Sequence, residues 1–378
     1  MVARAETPKL QDPQHSVPLF WPLAAVAALG HAELELFRRN LRFLAEAQKV
    51  DHGLKPHFAT ANTVLLDLHT LLLREFGTAK PQVAPTLIVA PYAGHSAAIT
   101  DYHGGQSLVQ TLLAEGLGRV LVTDWKSATT VMKDYDIDNY LAELNVCIDD
   151  LGGRVNLVGL CQGGWMSAMY AARYPGRVVA LVLAGSPIDT HAGEGPLKAM
   201  IESFPQSFYE DLVALGGGLM RGRVMLRGWK NMHPEEQYLE KYVRLYQHID
   251  DAEYVSKTEA FSSWYENPID LPGRWYLQVI DELFRRNQLA QGQFVGLGRR
   301  LSLREIRCPV YMLAGEADDI TPKEQLFAAE NLVGTQRQGV GKAVAPGGHV
   351  GLFMGSESLQ QFWPVIARWI LDAQQRAG

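Results

Sequence analysis

Four short, almost wholly apolar runs alternate with longer amphipathic ones in the middle of the chain. Thr86–Ala90, Val120–Thr123, Val155–Gly159 and Val178–Ala184 read as strands; Gln106–Glu115, Ile137–Leu151 and Gly163–Arg173 read as helices between them. A strand with no polar alternation is buried on both faces. Such strands alternating with helices predict an α/β fold, a mostly parallel sheet covered by helices on both faces. The rhythm lapses across residues 190–295 and resumes with strands at Val310–Ala314 and Lys342–Ala345 and a closing helix at Ser358–Ala373.

This pattern divides the chain into three parts. Residues 81–189 and 296–378 form the sheet domain. Residues 190–295, rich in aromatic and charged side chains, are expected to form a mainly helical cap inserted into it. Residues 1–80 are expected to be an N-terminal helical segment. Within it, Leu34, Phe37, Leu41 and Leu44 have helical spacing over Glu33–Val50, and a run of leucines suggests a second helix over Asn62–Phe76.

The strand at Val155–Gly159 runs directly into the following helix through Gly159-Leu160-Cys161-Gln162-Gly163. A Gly-x-Cys-x-Gly turn between a buried strand and a helix has the form of a nucleophile elbow, with Cys in place of Ser. The glycines let strand and helix approach closely, and the helix N-terminus favours a thiolate. Cys161 is therefore the candidate nucleophile, and the expected architecture is the α/β-hydrolase fold. Cys147, on an amphipathic helix, and Cys308, just before a strand, are expected to be inert core thiols.

An elbow nucleophile needs a base, and the base an orienting carboxylate; in this fold they follow in that chain order reversed, acid and then His. The strand Val310–Ala314 ends in Gly315-Glu316-Ala317-Asp318-Asp319, so Asp318 is the expected acid, with Asp319 the alternative. His349, in a Gly-rich loop, is the only histidine beyond them and is the expected base. The Gln162 N–H supplies half of an oxyanion hole; the other half is expected from Tyr92 or Ala93, after the first strand. His95 in the same loop and Trp165 after the elbow are expected to line the site, with Trp229, Trp264 and Trp275 of the cap. The cap's aromatic residues fit an apolar substrate channel and equally fit the cap's own core.

Other classes are disfavoured. A net charge of −6 gives no electrostatic case for nucleic acid. His52 and His57 lack partners at metal-ligand spacing, so neither a metal nor a cofactor is expected. The first apolar run, Val17–Gly30, is broken by Pro22 and too short to span a bilayer; no transmembrane segment is expected. Three cysteines are too few for a disulfide framework, which fits a cytoplasmic protein. Arg221, Arg223, Arg227 and Lys230 form a local basic run, read as a solvated face or as a contact for phosphates.

The triad residues and their surroundings resemble the intracellular polyhydroxyalkanoate depolymerases and the related polyhydroxyalkanoate synthases, over about residues 83–371. Both are α/β-hydrolase families with a Cys-Asp-His triad, which the resemblance places at Cys161, Asp318 and His349. Gly159-Leu160-Cys161-Gln162-Gly163-Gly164, Gln106-Ser107-Leu108-Val109 and Leu271-Pro272-Gly273 look more like the synthases. Gly94-His95, Gly185-Ser186-Pro187-Ile188-Asp189, Asp318-Asp319-Ile320 and Gly348-His349-Val350-Gly351 look more like the depolymerases. On balance the resemblance leans to a depolymerase, cleaving the polyester through an acyl-Cys thioester. The alternatives are a synthase-type acyltransferase using a 3-hydroxyacyl-coenzyme A and a granule-bound protein with a vestigial triad. The partners implied are a polyhydroxyalkanoate polymer or oligomer, a storage-granule surface and a second copy in a homodimer.

Overall fold

The computed structural model describes residues 31–52, 54–77, 84–232 and 240–377. Among the described residues, eight strands form one sheet. They are β1 (Asn62–Asp67), β2 (Leu71–Phe76), β3 (Thr86–Val89), β4 (Val120–Trp125), β5 (Val155–Leu160), β6 (Val178–Ala184), β7 (Val310–Gly315) and β8 (Val340–Ala345), in spatial order 1-2-4-3-5-6-7-8. From β4 to β8 every neighbour is parallel, while β1 and β2 add an antiparallel hairpin beside β4. All residues of β3, β5 and β6 are buried, as their unbroken apolar character requires.

The hairpin corrects the expected helix over Asn62–Phe76, and with it the reading of residues 1–80 as wholly helical. A leucine run satisfies either period, and length does not arbitrate for a short one. The turn decides. Leu68 N–H donates to the Leu71 carbonyl at 2.9 Å, and the His69 and Thr70 N–H groups donate to the Glu143 carboxylate at 3.0 and 2.8 Å. β2 then pairs with β4 from Leu71 opposite Trp125 to Phe76 opposite Val120. Leu71 and Leu73 are buried and Leu72 between them is half-buried. Leu73→Ala is therefore expected to cost about 2–5 kcal/mol and Leu72→Ala well under half as much. Equal shifts of the urea midpoint would contradict the alternation.

The expected helix over Glu33–Val50 lies within α1 (His31–His52), whereas Val17–Gly30 lies outside the described residues. In the sheet domain α2 (Leu108–Ala114), α3 (Ile137–Asp150) and α4 (Gln162–Arg173) connect the parallel strands. Between β6 and β7 lie α5 (Pro196–Ser203), α6 (Gln206–Leu215), α7 (Gly222–Met232), α8 (Lys241–Gln247), α9 (Ala252–Tyr265) and α10 (Gly273–Gln278), the last continuing helically to Arg285. A two-residue ribbon, Leu219–Met220 with Leu271–Pro272, ties α6–α7 to α9–α10. Helix α1 docks on this inserted block. Val50 packs with Leu245, Ile249 and Val255, and Lys49 pairs with Glu259 at 2.7 Å. The chain closes with α11 (Trp363–Ala377), whose Ile366, Ala367 and Ile370 are buried in the main core.

Candidate active site

The elbow is built by close approach. A Cβ on Gly163 would collide with the Val89 carbonyl, and one on Gly164 with the Ser186 hydroxyl. Only glycine lets α4 start this close to β3 and β6. Cys161 sits between strand and helix at φ 49°, ψ −118°, a strained conformation for a residue with a side chain. Two backbone bonds hold it there: its N–H donates to the Ala184 carbonyl at 2.8 Å, and its carbonyl accepts from Gly164 N–H at 2.9 Å.

His349, in the loop after β8, donates from Nδ1 to Asp318 Oδ2 at 2.8 Å and lines the same cavity as Cys161. Asp318 follows β7. Its other oxygen accepts from the Ile320 and Thr321 N–H groups at 3.0 and 2.8 Å, so the turn fixes the carboxylate and leaves Oδ2 for the imidazole. Burial pulls the His349 pKa down, but the charges and hydrogen bonds of Cys161 and Asp318 outweigh it and hold the value well above the ordinary one. The structure thus brings three of the expected residues together, Cys161 and His349 at one cavity and Asp318 behind His349, and it gives Asp318 rather than Asp319 the bond to His349.

Two neighbours of His349 have a packing role that their motifs alone do not state. Gly185, at φ +53°, leaves room for the ring: a Cβ there would stand 3.2 Å from His349 Cε1. Phe353 meets the imidazole edge-on at 5.3 Å. The positions of Gly185 just past a strand and of Phe353 four residues after His349 were the available signals.

Cys161 and His349 open into a cavity of about 600 Å³. Its walls include Ala93, His95, Ile99, Trp229, Met232, Phe261, Trp264 and Asp319. Ala93 lines this cavity. The Tyr92 side chain instead turns into the core, with its hydroxyl bonded to that of Tyr140 at 2.8 Å and its ring against Trp125 and Trp275. Gln162 opens α4, where first-turn N–H groups have no acceptor within the helix.

His95 is fixed rather than solvated. Its Nε2–H donates to the Tyr265 carbonyl at 2.9 Å, and its ring stacks on Tyr265 and lies 4.7 Å from that of Trp264. Burial pulls its pKa down to about 4, so the ring is neutral at physiological pH.

The expected tryptophans divide. Trp229 and Trp264 line this cavity, and Trp264 is anchored by a bond from Nε1 to the Ser96 carbonyl at 2.9 Å. Trp165 does not: it is a core residue, 1% exposed, with its ring 6.0 Å from that of Trp275. It leaves α4 on the side facing the packed aromatic cluster, so its expected place in the substrate wall is corrected. Trp275 lines a second cavity instead.

Burial pushes the thiols of Cys147 and Cys308 up to about 12; Cys147 is buried in the main core and Cys308 packs, partly buried, against it. In the basic run, Arg221 pairs with Asp270 at 2.8 Å and Lys230 with Glu266 at 2.7 Å. Among the described residues no group of His, Cys, Asp and Glu is placed to hold a metal ion, and no helix is long and apolar enough to cross a membrane.

Comparison with known proteins agrees with this architecture. A family model described as "Protein of unknown function (DUF3141)" matches residues 65–359. A Haloferax mediterranei protein named Poly(3-hydroxyalkanoate) polymerase subunit PhaC is 28% identical over 299 residues, 76% of this chain and 58% of that protein. The protein of the same name from Allochromatium vinosum is 26% identical over 338 residues, 88% of this chain and 93% of its own length. The chain thus spans less than two thirds of the first relative and nearly all of the second. Among solved structures, a carboxylesterase from the thaumarchaeon Nitrososphaera gargenis superposes with a TM-score of 0.50 at 15% identity, covering 83% of this chain and all of that one. This likeness shows the α/β-hydrolase fold.

Proposed function

The chain belongs to the DUF3141 family, and we propose that it is an acyl-transfer enzyme in which Cys161 forms a thioester with a 3-hydroxyacyl group and passes it to a hydroxyl. The observation that carries this reading is the strained elbow residue Cys161 sharing the wall of a largely apolar cavity with His349, whose imidazole is bonded to Asp318. A thiolate beside an imidazolium attacks the carbonyl of a 3-hydroxyacyl-coenzyme A. The oxyanion is held by the N–H groups of Gln162 and Ala93. Collapse expels the coenzyme A thiolate, which takes the proton from His349. An acceptor hydroxyl then gives its proton to the neutral His349 and attacks the thioester, forming an ester and returning the Cys161 thiolate.

Hydrolysis differs from this only in the second step, where water replaces the hydroxyl. The sequence leaned to that side on Asp318-Asp319-Ile320 and the loop at His349. The names of the relatives favour polymerisation. A polyester chain end is the acceptor in this reading, and a storage granule the surface on which it works.

The test is a pair of incubations. With 3-hydroxybutyryl-coenzyme A the protein is expected to release free thiol and to yield oligoester. With amorphous poly-3-hydroxybutyrate granules it is expected to release little 3-hydroxybutyrate. The reverse pattern would replace transfer with hydrolysis. No turnover of either, together with alkylation of Cys161 by iodoacetamide no faster than a free thiol, would leave a binding protein.

A further inference from the structure

A second cavity, of about 420 Å³, lies within the inserted helices, and the residue that joins it to the elbow is Gln162, next in the chain to the nucleophile. Trp229 and Met232 of α7 line both cavities and so form the partition between them. The remaining wall comes from α5, α6, α7, α10 and its helical continuation, through residues such as Ile201, Phe208, Met225, Val279 and Phe284. None of the described residues lining it is charged.

Acyl transfer needs two separate spaces at the nucleophile. The leaving group departs, and the acceptor arrives, where the base can exchange a proton with them. His349 lines the first cavity, so that cavity serves the leaving group and the acceptor. The acyl group that stays on Cys161 must extend away from His349. The second cavity begins on the other side of the partition, at Gln162, while Cys161 itself lines the first. Its uncharged wall suits an alkyl chain and rejects the phosphates of a nucleotide-bearing leaving group.

Resting on the acyl-Cys reading, we propose that this second cavity is the acyl-side pocket, that it holds the body of the 3-hydroxyacyl group carried by Cys161, and that Gly228 sets its depth. The lining residues of α7 are Val224, Met225, Gly228, Trp229, Asn231 and Met232, a spacing of one helical face with Gly228 near its middle. A Cβ at Gly228 meets no atom within 4 Å, so a side chain there takes space from the cavity without displacing its walls. In a helix the change from glycine also favours folding.

The experiment is the acylation of Cys161 by p-nitrophenyl butyrate, octanoate and dodecanoate, followed as the burst of p-nitrophenol and by intact mass. Gly228→Leu is expected to lower the octanoate-to-butyrate and dodecanoate-to-butyrate ratios of acylation rates by about 10-fold or more. Phe284→Ala, which deepens the same cavity, is expected to shift the preference toward dodecanoate. Chain-length profiles unchanged in both variants, with Cys161 still acylated, would overturn the pocket assignment alone. A parent protein acylated by none of the three esters would overturn the acyl-Cys reading, and the pocket with it.

Discussion

Replacing Cys161 with alanine is expected to lower thiol release from 3-hydroxybutyryl-coenzyme A by about 10⁴–10⁶-fold, because residues that act as one catalytic unit lose nearly all of its effect when the nucleophile goes. The loss should be chemical and not structural. Cys161 is held at φ 49° by its bonds to Ala184 and Gly164, and glycines on both sides of it allow strand and helix to meet. Alanine keeps all of these contacts. The thermal midpoint of the alanine variant should therefore stay close to that of the parent. Cys161→Gly should be at least as stable as Cys161→Ala, since a glycine relieves strain of about 1–3 kcal/mol at such an angle. Intact mass after incubation with substrate gives the direct check: the acyl adduct should be present in the parent and missing in both variants. Residual turnover above about one part in a hundred would mean that another group carries the chemistry.

The elbow was legible in the sequence because it is a steric device, and steric devices leave a signature in residue type. Gly163 and Gly164 stand where a Cβ would strike Val89 and Ser186, so no other residue fits. The strands β3, β5 and β6 were legible for a related reason: a strand covered on both faces tolerates almost nothing polar. The hairpin at Asn62–Phe76 was not, because its leucines satisfy either period and the deciding contact, Glu143 on the turn, lies far along the chain. The carboxylate beside His349 was legible to within one residue. Asp318 closes the turn onto Ile320 and Thr321 and meets His349, whereas Asp319 lines the cavity, and the turn's bond pattern orients the Asp318 carboxylate. The tryptophans were least legible. Trp165 and Trp264 are both buried and aromatic, yet one faces the packed core and the other the cavity. Side-chain type sets how much apolar area is buried, not on which side of a wall it lies.

Asp318→Asn is expected to lower turnover by about 10³–10⁴-fold, because the amide neither fixes the imidazole tautomer nor stabilises the imidazolium. The same variant should change how stability depends on pH, which a merely structural aspartate would not do in this window. His349 has its folded-state pKa held well above the ordinary value: burial opposes the charge, but Cys161 and Asp318 more than offset it. The unfolded chain releases that proton near pH 6.5. Between that pH and the raised folded value, the folded protein binds a proton that the unfolded chain does not, so its stability falls as pH rises. The stabilisation is thus fully present below about pH 6.5 and is lost as pH climbs through the folded value. With asparagine at position 318, one of the two charges that support the imidazolium is gone, and the remaining support is that of Cys161. Thermal midpoints measured from pH 6 to 10 should decline less steeply for Asp318→Asn than for the parent over the alkaline part of that range. Parallel curves for the two proteins would show that the carboxylate does not hold the His349 proton, and with it would go the assignment of Asp318 as the group that orients the base.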